Sequence, residues 1–74
     1  MIWARDDGDR DAESWYLTHN RDVYSLHRRY DDPLTITVMK NGFFLDRFVG
    51  RGMALAKEYT EIHLVDAPPP EDAA

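Results

Sequence analysis

The chain has 74 residues, no cysteine, and nine basic against fourteen acidic side chains, a formal net charge of −5. This length suffices for one domain with one small core, and the lack of cysteine excludes disulfides and thiolate metal sites. It also fits a cytoplasmic protein, and no apolar run approaches the roughly 20 residues of a membrane span.

The acidity is concentrated at the two ends of the chain. Residues 1–13 and residues 66–74 each carry a net charge of −3, whereas residues 14–65 carry +1. Neither end has an apolar period, so we predict a flexible acidic segment over 1–13 and a disordered proline-rich tail over 66–74. A single folded domain should occupy 14–65. Trp3 is the residue of the first segment that we expect to dock onto the sheet.

The apolar residues in the first third of the domain fit both the helical and the strand periodicity. The apolar residues from Val23 to Tyr30 have helical spacing, but they also alternate as they would in a strand. Aromatic and β-branched residues are frequent here, which favours strands. We therefore predict strands over 15–19 and 23–30 with a turn between them. A helix over 21–30 is the alternative.

Asn41-Gly42 separates two runs of β-branched and aromatic residues. Asn-Gly favours a two-residue type I′ turn, because both central positions of that turn need a positive φ. The resulting hairpin pairs Lys40 with Phe43 and Ile36 with Arg47. One face, which the rest of the chain must cover, carries Leu34, Ile36, Val38, Phe43, Leu45 and Val49.

Gly50-Arg51-Gly52 ends the hairpin, and good helix formers follow it. We predict a helix from about 53 to 63, in which Leu55, Tyr59 and Ile62 share one apolar stripe. The glycines and Arg51 could also admit an anion at the helix N-terminus, although a plain strand-to-helix turn is the simpler interpretation. The predicted class is α+β, an antiparallel meander of three to four strands with one C-terminal helix packed on one face.

The hairpin-plus-helix half of the chain resembles short uncharacterised proteins of high-GC actinobacteria and their phages. The resemblance covers less than half of the sequence and implies no activity. The residues that carry it are Asn41, Gly42, Phe48, Ala54, Ala56 and Tyr59.

The other face of the hairpin is the main functional signal. A single helix covers only one side of a sheet, and exposed methionine and aromatic side chains mark partner surfaces. We therefore predict a non-enzymatic protein–protein interaction module that self-associates, a phage or mobile-element accessory protein that binds and modulates a host protein. The predicted partner-binding residues are Thr35, Thr37, Met39, Phe44 and Phe48.

A small nucleic-acid-binding module is the alternative function. Basic side chains around the sheet would contact the phosphates, and a tyrosine would stack on a base. The candidate anion or nucleic-acid contacts are Arg28, Arg29, Arg47, Arg51 and Lys57.

No pattern for catalysis is visible in the sequence. The three histidines, His19, His27 and His63, have no metal-ligand spacing. Ser14 and Ser25 have no nucleophile elbow around them. We therefore predict no enzymatic activity, no cofactor and no metal site.

Overall fold

The fold is a five-stranded antiparallel meander with a short helix on one face. A computed structural model describes residues 2–65, and the strands lie side by side in the order of the sequence. The elements are β1 (Ala4–Asp6), β2 (Ala12–His19), β3 (Asp22–Arg29), β4 (Thr35–Lys40), β5 (Phe43–Val49), α1 (Met53–Tyr59) and a π-helical segment (Thr60–Leu64). The α+β class and the C-terminal helix are confirmed, while the predicted three to four strands are too few. The predicted tail over 66–74 lies outside the described residues.

The additional strand, β1, lies in the segment that was predicted to be flexible. Its main chain pairs with β2, with Arg5 opposite Trp15. The sequence pattern missed β1 because all three of its side chains are exposed, so it has no apolar period. Trp3 anchors the segment, as expected, by packing against the core and donating a hydrogen bond from Nε1 to Oε1 of Glu61 at 3.1 Å.

Two tight turns shape the centre of the sheet. Asn20 and Arg21 connect β2 to β3 with φ angles of 50° and 70°, and Asn41 and Gly42 connect β4 to β5 with φ angles of 53° and 83°. Both loops have the positive φ values of a type I′ turn. The strand interpretation of the first hairpin and the Asn-Gly turn are therefore confirmed, and the alternative helix over 21–30 is wrong.

Asn41 also joins its own turn to the neighbouring hairpin. Its backbone N–H donates to the carbonyl of Val23 at 2.8 Å, and its side-chain oxygen accepts from the N–H of Val23 at 2.8 Å. Its Nδ2 donates to Asp22 Oδ1 at 2.9 Å. The side chain and backbone of Asn41 thus continue the β3–β4 ladder beyond its last strand pair.

A β-bulge shifts the register of the second hairpin. The predicted pairs hold next to the turn and fail beyond Met39, where the strands slip by one residue. Ile36 therefore pairs with Phe48 rather than with Arg47. Without the bulge, Arg47 would lie beneath the helix and Phe48 would face outward. With it, Phe48 is buried to 8% exposure, so its predicted place on the uncovered face is wrong.

The core lies between the sheet and the helix. Its main cluster contains Leu26, Ile36, Val38, Phe48, Met53 and Ala56. A smaller cluster at the end of the π-helical segment contains Leu17, Tyr24 and Val65. Trp3 packs against both clusters, so the start of the described chain closes the core on the side of β1.

The helix covers less of the sheet than the hairpin pattern suggests. A seven-residue helix is only about 10 Å long. It buries Met53 and Ala56, and the π-helical segment adds Thr60, whose hydroxyl donates to the carbonyl of Ala56 at 2.7 Å. The exposed large apolar side chains of the helical region and of the hairpin are Leu34, Phe43, Phe44, Leu45, Val49, Leu55, Tyr59 and Ile62. The predicted covered face of the hairpin is therefore wrong for Leu34, Phe43, Leu45 and Val49.

Candidate interaction surface

The outer edge of β5 is long and apolar. Among the strands that the structure describes, β5 pairs with β4 alone, so its other side presents unpaired main-chain groups. Phe43 and Phe44 are 78% and 67% exposed, and they lie on opposite faces of the strand. Leu45 and Val49 continue the apolar character along the same strand.

A groove adjoins this edge on the helix side. Phe48 forms its base, and the ring of Tyr59 meets the ring of Phe48 edge-on with centroids 5.1 Å apart. The ring of His63 lies 4.5 Å from that of Tyr59. The groove has a volume of about 190 Å³. Besides these three rings, it is lined by Arg51, Leu55, Glu58 and Ile62.

We call the edge and the groove together the β5 surface. Its exposed apolar residues come from the hairpin and from the helical stripe. They are Leu34, Phe43, Phe44, Leu45, Val49, Leu55, Tyr59 and Ile62.

The five residues predicted to bind a partner do not form one patch. Phe44 belongs to the β5 surface, whereas Phe48 is in the core. Thr35, Thr37 and Met39 line a hollow on the open sheet face, beside His27. Phe44 pairs directly with Met39 and lies on that same face, at its β5 margin. Four of the five predicted residues therefore share the open face, and Phe48 is the one that the bulge moves to the core.

The open sheet face is mostly polar and satisfies its own hydrogen bonds. His27 Nδ1 lies 3.1 Å from the hydroxyl of Ser14, and its Nε2 lies 2.9 Å from the hydroxyl of Ser25. The rings of Tyr16 and His27 pack in a T-shaped arrangement, with their centroids 5.9 Å apart. Burial lowers the pKa of His27, and the charge of Asp9 partly opposes this effect. The central row of this face is thus a hydrogen-bonded network, and the exposed apolar side chains of Phe44 and Val49 lie at its β5 margin.

Burial limits access to the Ser14 hydroxyl of this network. Ser14 is only 1% exposed, so its hydroxyl is not presented to a substrate. Within residues 2–65, no three His, Cys, Asp or Glu side chains are close enough to hold a metal ion together.

The predicted nucleic-acid contacts are scattered, and several of them are already engaged. Arg28 forms an ion pair with Glu13. The guanidinium of Arg29 donates twice to the carboxylate of Asp31, at 2.9 and 3.0 Å. Arg47 lies on the open face opposite Thr37, while Arg51 lies in the groove. These side chains do not form one basic stripe.

Lys57, the last of the predicted contacts, is held against the covered side of the sheet. Its Nζ lies 3.1 Å from the centroid of the Trp15 ring, a cation–π contact. Burial lowers the pKa of this ammonium group, and the charge of Glu13 opposes that effect. Glu13 in turn accepts a hydrogen bond from Trp15 Nε1 at 2.7 Å, which with Arg28 holds the pKa of its carboxyl below the usual value.

Sequence reasoning missed most of the β5 surface. One signal was present: adjacent Phe43 and Phe44 must point to opposite faces of a strand, so one of them lies away from any single covering helix. The exposure of the Leu55, Tyr59 and Ile62 stripe had no such signal, because a second spacing with Met53 and Ala56 fits the helix equally well.

Comparison of the chain with protein families, with characterised proteins and with solved structures found no match. Nothing in these comparisons bears on the predicted resemblance to actinobacterial and phage proteins. None of the helices in the described part of the chain is long and apolar enough to cross a membrane.

Proposed function

We propose that this protein is a non-enzymatic protein-interaction module that binds its partner along the β5 surface. The main support is the seven-residue strand β5, which has exposed aromatic side chains and, among the described strands, a main chain that is paired on one side only. Proteins normally protect such edges with charge, bulges or a covering segment, because an open edge templates pairing with another chain. The centre of β5 has a bulge and the charged pair Asp46-Arg47, but Phe43 and Phe44 at its start are apolar and exposed. This end of the edge is therefore suited to recruit a partner strand.

The groove gives the same surface a place for side chains. A strand added to β5 would form main-chain hydrogen bonds along the edge and place alternate side chains toward the groove. Burying one phenylalanine side chain stabilises by roughly 1.5–3 kcal/mol. Phe43 and Phe44 would supply most of this free energy, since they are the most exposed aromatic residues of the surface.

The distribution of the basic residues favours a protein partner over a nucleic acid. Binding along a phosphate backbone requires several free cations on one surface. Here Arg28 and Arg29 are paired with carboxylates and Lys57 is stacked on Trp15. Only Arg51 lies in the groove of the β5 surface.

A photo-crosslinking experiment tests this proposal. Phe44 is replaced by p-benzoylphenylalanine in the purified chain, and Tyr30 is replaced in the same way as a control. Tyr30 is also an exposed aromatic residue, at 57%, but it follows β3 and lies outside the β5 surface. Each protein is irradiated alone and in an extract of its native host.

The expected result is a saturable protein adduct at position 44 and none at position 30. The absence of any protein adduct at position 44, in both samples, would overturn the proposal. Equal labelling at both positions would also overturn it, because the contact would then not be specific to the β5 surface.

A further inference from the structure

We infer that the partner on the β5 surface is a second copy of this chain, joined by antiparallel pairing of the two β5 strands into one ten-stranded sheet. This inference rests on the proposed function and specifies its partner. A two-fold axis perpendicular to a sheet always sets two identical edge strands antiparallel. The contact would therefore extend the pairing that all neighbouring strands of the sheet already use.

The charge distribution favours this edge for contact between copies. The whole chain carries −5, which disfavours self-association in general. On the β1 side, residues 4–11 contain two basic and four acidic side chains. The β5 surface instead has Asp46 and Glu58 balanced by Arg47 and Arg51. A contact through β5 therefore brings together surfaces whose local charges are balanced, unlike a contact through the β1 side.

The size of the surface also matches a dimer contact. Its eight apolar residues are between about one third and four fifths exposed. Complete coverage would bury on the order of 800 Å² per copy, which is the share of one partner in a standard-size interface.

Pairing through β5 would also stop at two copies. After two β5 strands pair, the free edges of the ten-stranded sheet are the two β1 strands. Each β1 is three residues long and carries Arg5 and Asp6, with an Arg5–Asp7 ion pair at 3.1 Å beside it. Short, charged edges resist further strand addition, so the structure predicts a closed dimer rather than a fibre.

The mass of the protein in solution gives the first test. Wild-type protein at high micromolar concentration should have twice the 8.6 kDa mass of one chain by sedimentation equilibrium. Phe44→Asp should be a folded monomer, as judged by far-UV circular dichroism, because it removes an apolar contact and a carboxylate would lose its hydration on burial there. Tyr30→Asp is the matched control and should remain dimeric. A monomeric wild type, or a Phe44→Asp variant that stays dimeric, would overturn the inference.

The arrangement of the two copies gives the second test, which does not depend on a variant of the contact. The chain has no cysteine, so Ala4→Cys on β1 can be labelled singly with a nitroxide. In the ten-stranded sheet the two β1 strands are nine strand spacings apart, roughly 40 Å. Double electron–electron resonance should report that distance.

Stacking of the open faces would give a distance below about 25 Å, since packed sheets lie about 10 Å apart. That result, or the absence of dipolar coupling, would overturn the inference.

The crosslinking experiment separates the two proposals. Adducts at position 44 that contain only other proteins would support the interaction function and refute the second copy as the partner.

Discussion

The two edges of this sheet differ in how readily they could pair with a strand of another chain. The outer strand β1 has three exposed residues, two of them charged, whereas β5 has seven residues and exposes two phenylalanines. Each of these strands has one side without a pairing partner among the described strands, so the number of unpaired main-chain sides does not distinguish them. The difference lies in length and side-chain chemistry. A short charged edge discourages a neighbour and a long apolar edge attracts one.

The two phenylalanines Phe48 and Phe44 test the division of β5 into a core part and a surface part. Phe48→Ala should reduce the free energy of unfolding by about 3–5 kcal/mol, since it empties a core position between Ile36 and the helix. Phe44→Ala, four residues away on the exposed edge, should change it by about 0.5 kcal/mol or less in the monomer. Urea unfolding at low protein concentration measures both. Equal costs would mean that the bulge does not divide the strand into a core part and a surface part.

The protection of the β1 edge is the next part to remove. Trp3→Ala should reduce the free energy of unfolding by about 2 kcal/mol, because this indole is only partly buried. It should also release β1 and leave β2 as a new open edge, so that species larger than a dimer form. Amide hydrogen exchange at Tyr16, whose N–H faces β1, and sedimentation measure these two effects. Ile2→Ala is the control and should do neither, since Ile2 is 87% exposed.

The turn that starts β5 should contribute a smaller amount to the free energy of unfolding. Gly42 has a φ of 83°, which an alanine adopts only with strain, although no atom lies within 4 Å of the added Cβ. Gly42→Ala should therefore cost about 1 kcal/mol of stability. Gly52→Ala is a suitable control, because Gly52 has a φ of −76° and equal free space. Thermal melting compares the two variants, and a larger loss for Gly52→Ala would contradict the strain argument.

The titration of His27 on the open face between the two edges should have the weakest influence on stability. The pKa of His27 is lowered by burial from its ordinary value of 6.5, so the unfolded chain takes up this proton at a higher pH than the folded chain. The associated stability is complete above about pH 6.5 and is lost as the pH falls toward the lowered folded value. Urea unfolding should give a lower free energy of unfolding at about pH 5.5 than at about pH 7.5, and this difference should be smaller in His27→Gln. An identical decrease in this variant would assign the effect to other groups.

The parts of the fold that local chemistry determines were predictable. Asn41-Gly42 specified its turn, and the aromatic, β-branched composition around Tyr24 correctly favoured strands over a helix. The bulge beyond Met39 was not predictable, because its benefit appears only when the helix covers Phe48 and leaves Arg47 outside. β1 was missed for a related reason: its pairing uses the main chain, and its anchor, Trp3, lies outside the strand.

The candidate surface was predictable only in part. Phe44 was identified because the hairpin register near the turn is correct. The prediction failed for Phe48, since one slipped residue exchanges the two faces of every later position in the strand. The helix stripe around Tyr59 depends on which of two spacings packs on the sheet, and that choice is made by contacts distant in sequence.

The three hydrogen bonds of Asn41 have a consequence for how the sheet folds. They tie the second turn to Val23 and Asp22, at the start of the strand that follows the first turn. Once the first hairpin has formed, Val23 and Asp22 are in place to bind Asn41 and so to stabilise the second turn. If either hairpin opens, these three hydrogen bonds between them are lost. Folding and unfolding of the meander should accordingly be a single cooperative transition, with the two hairpins melting together.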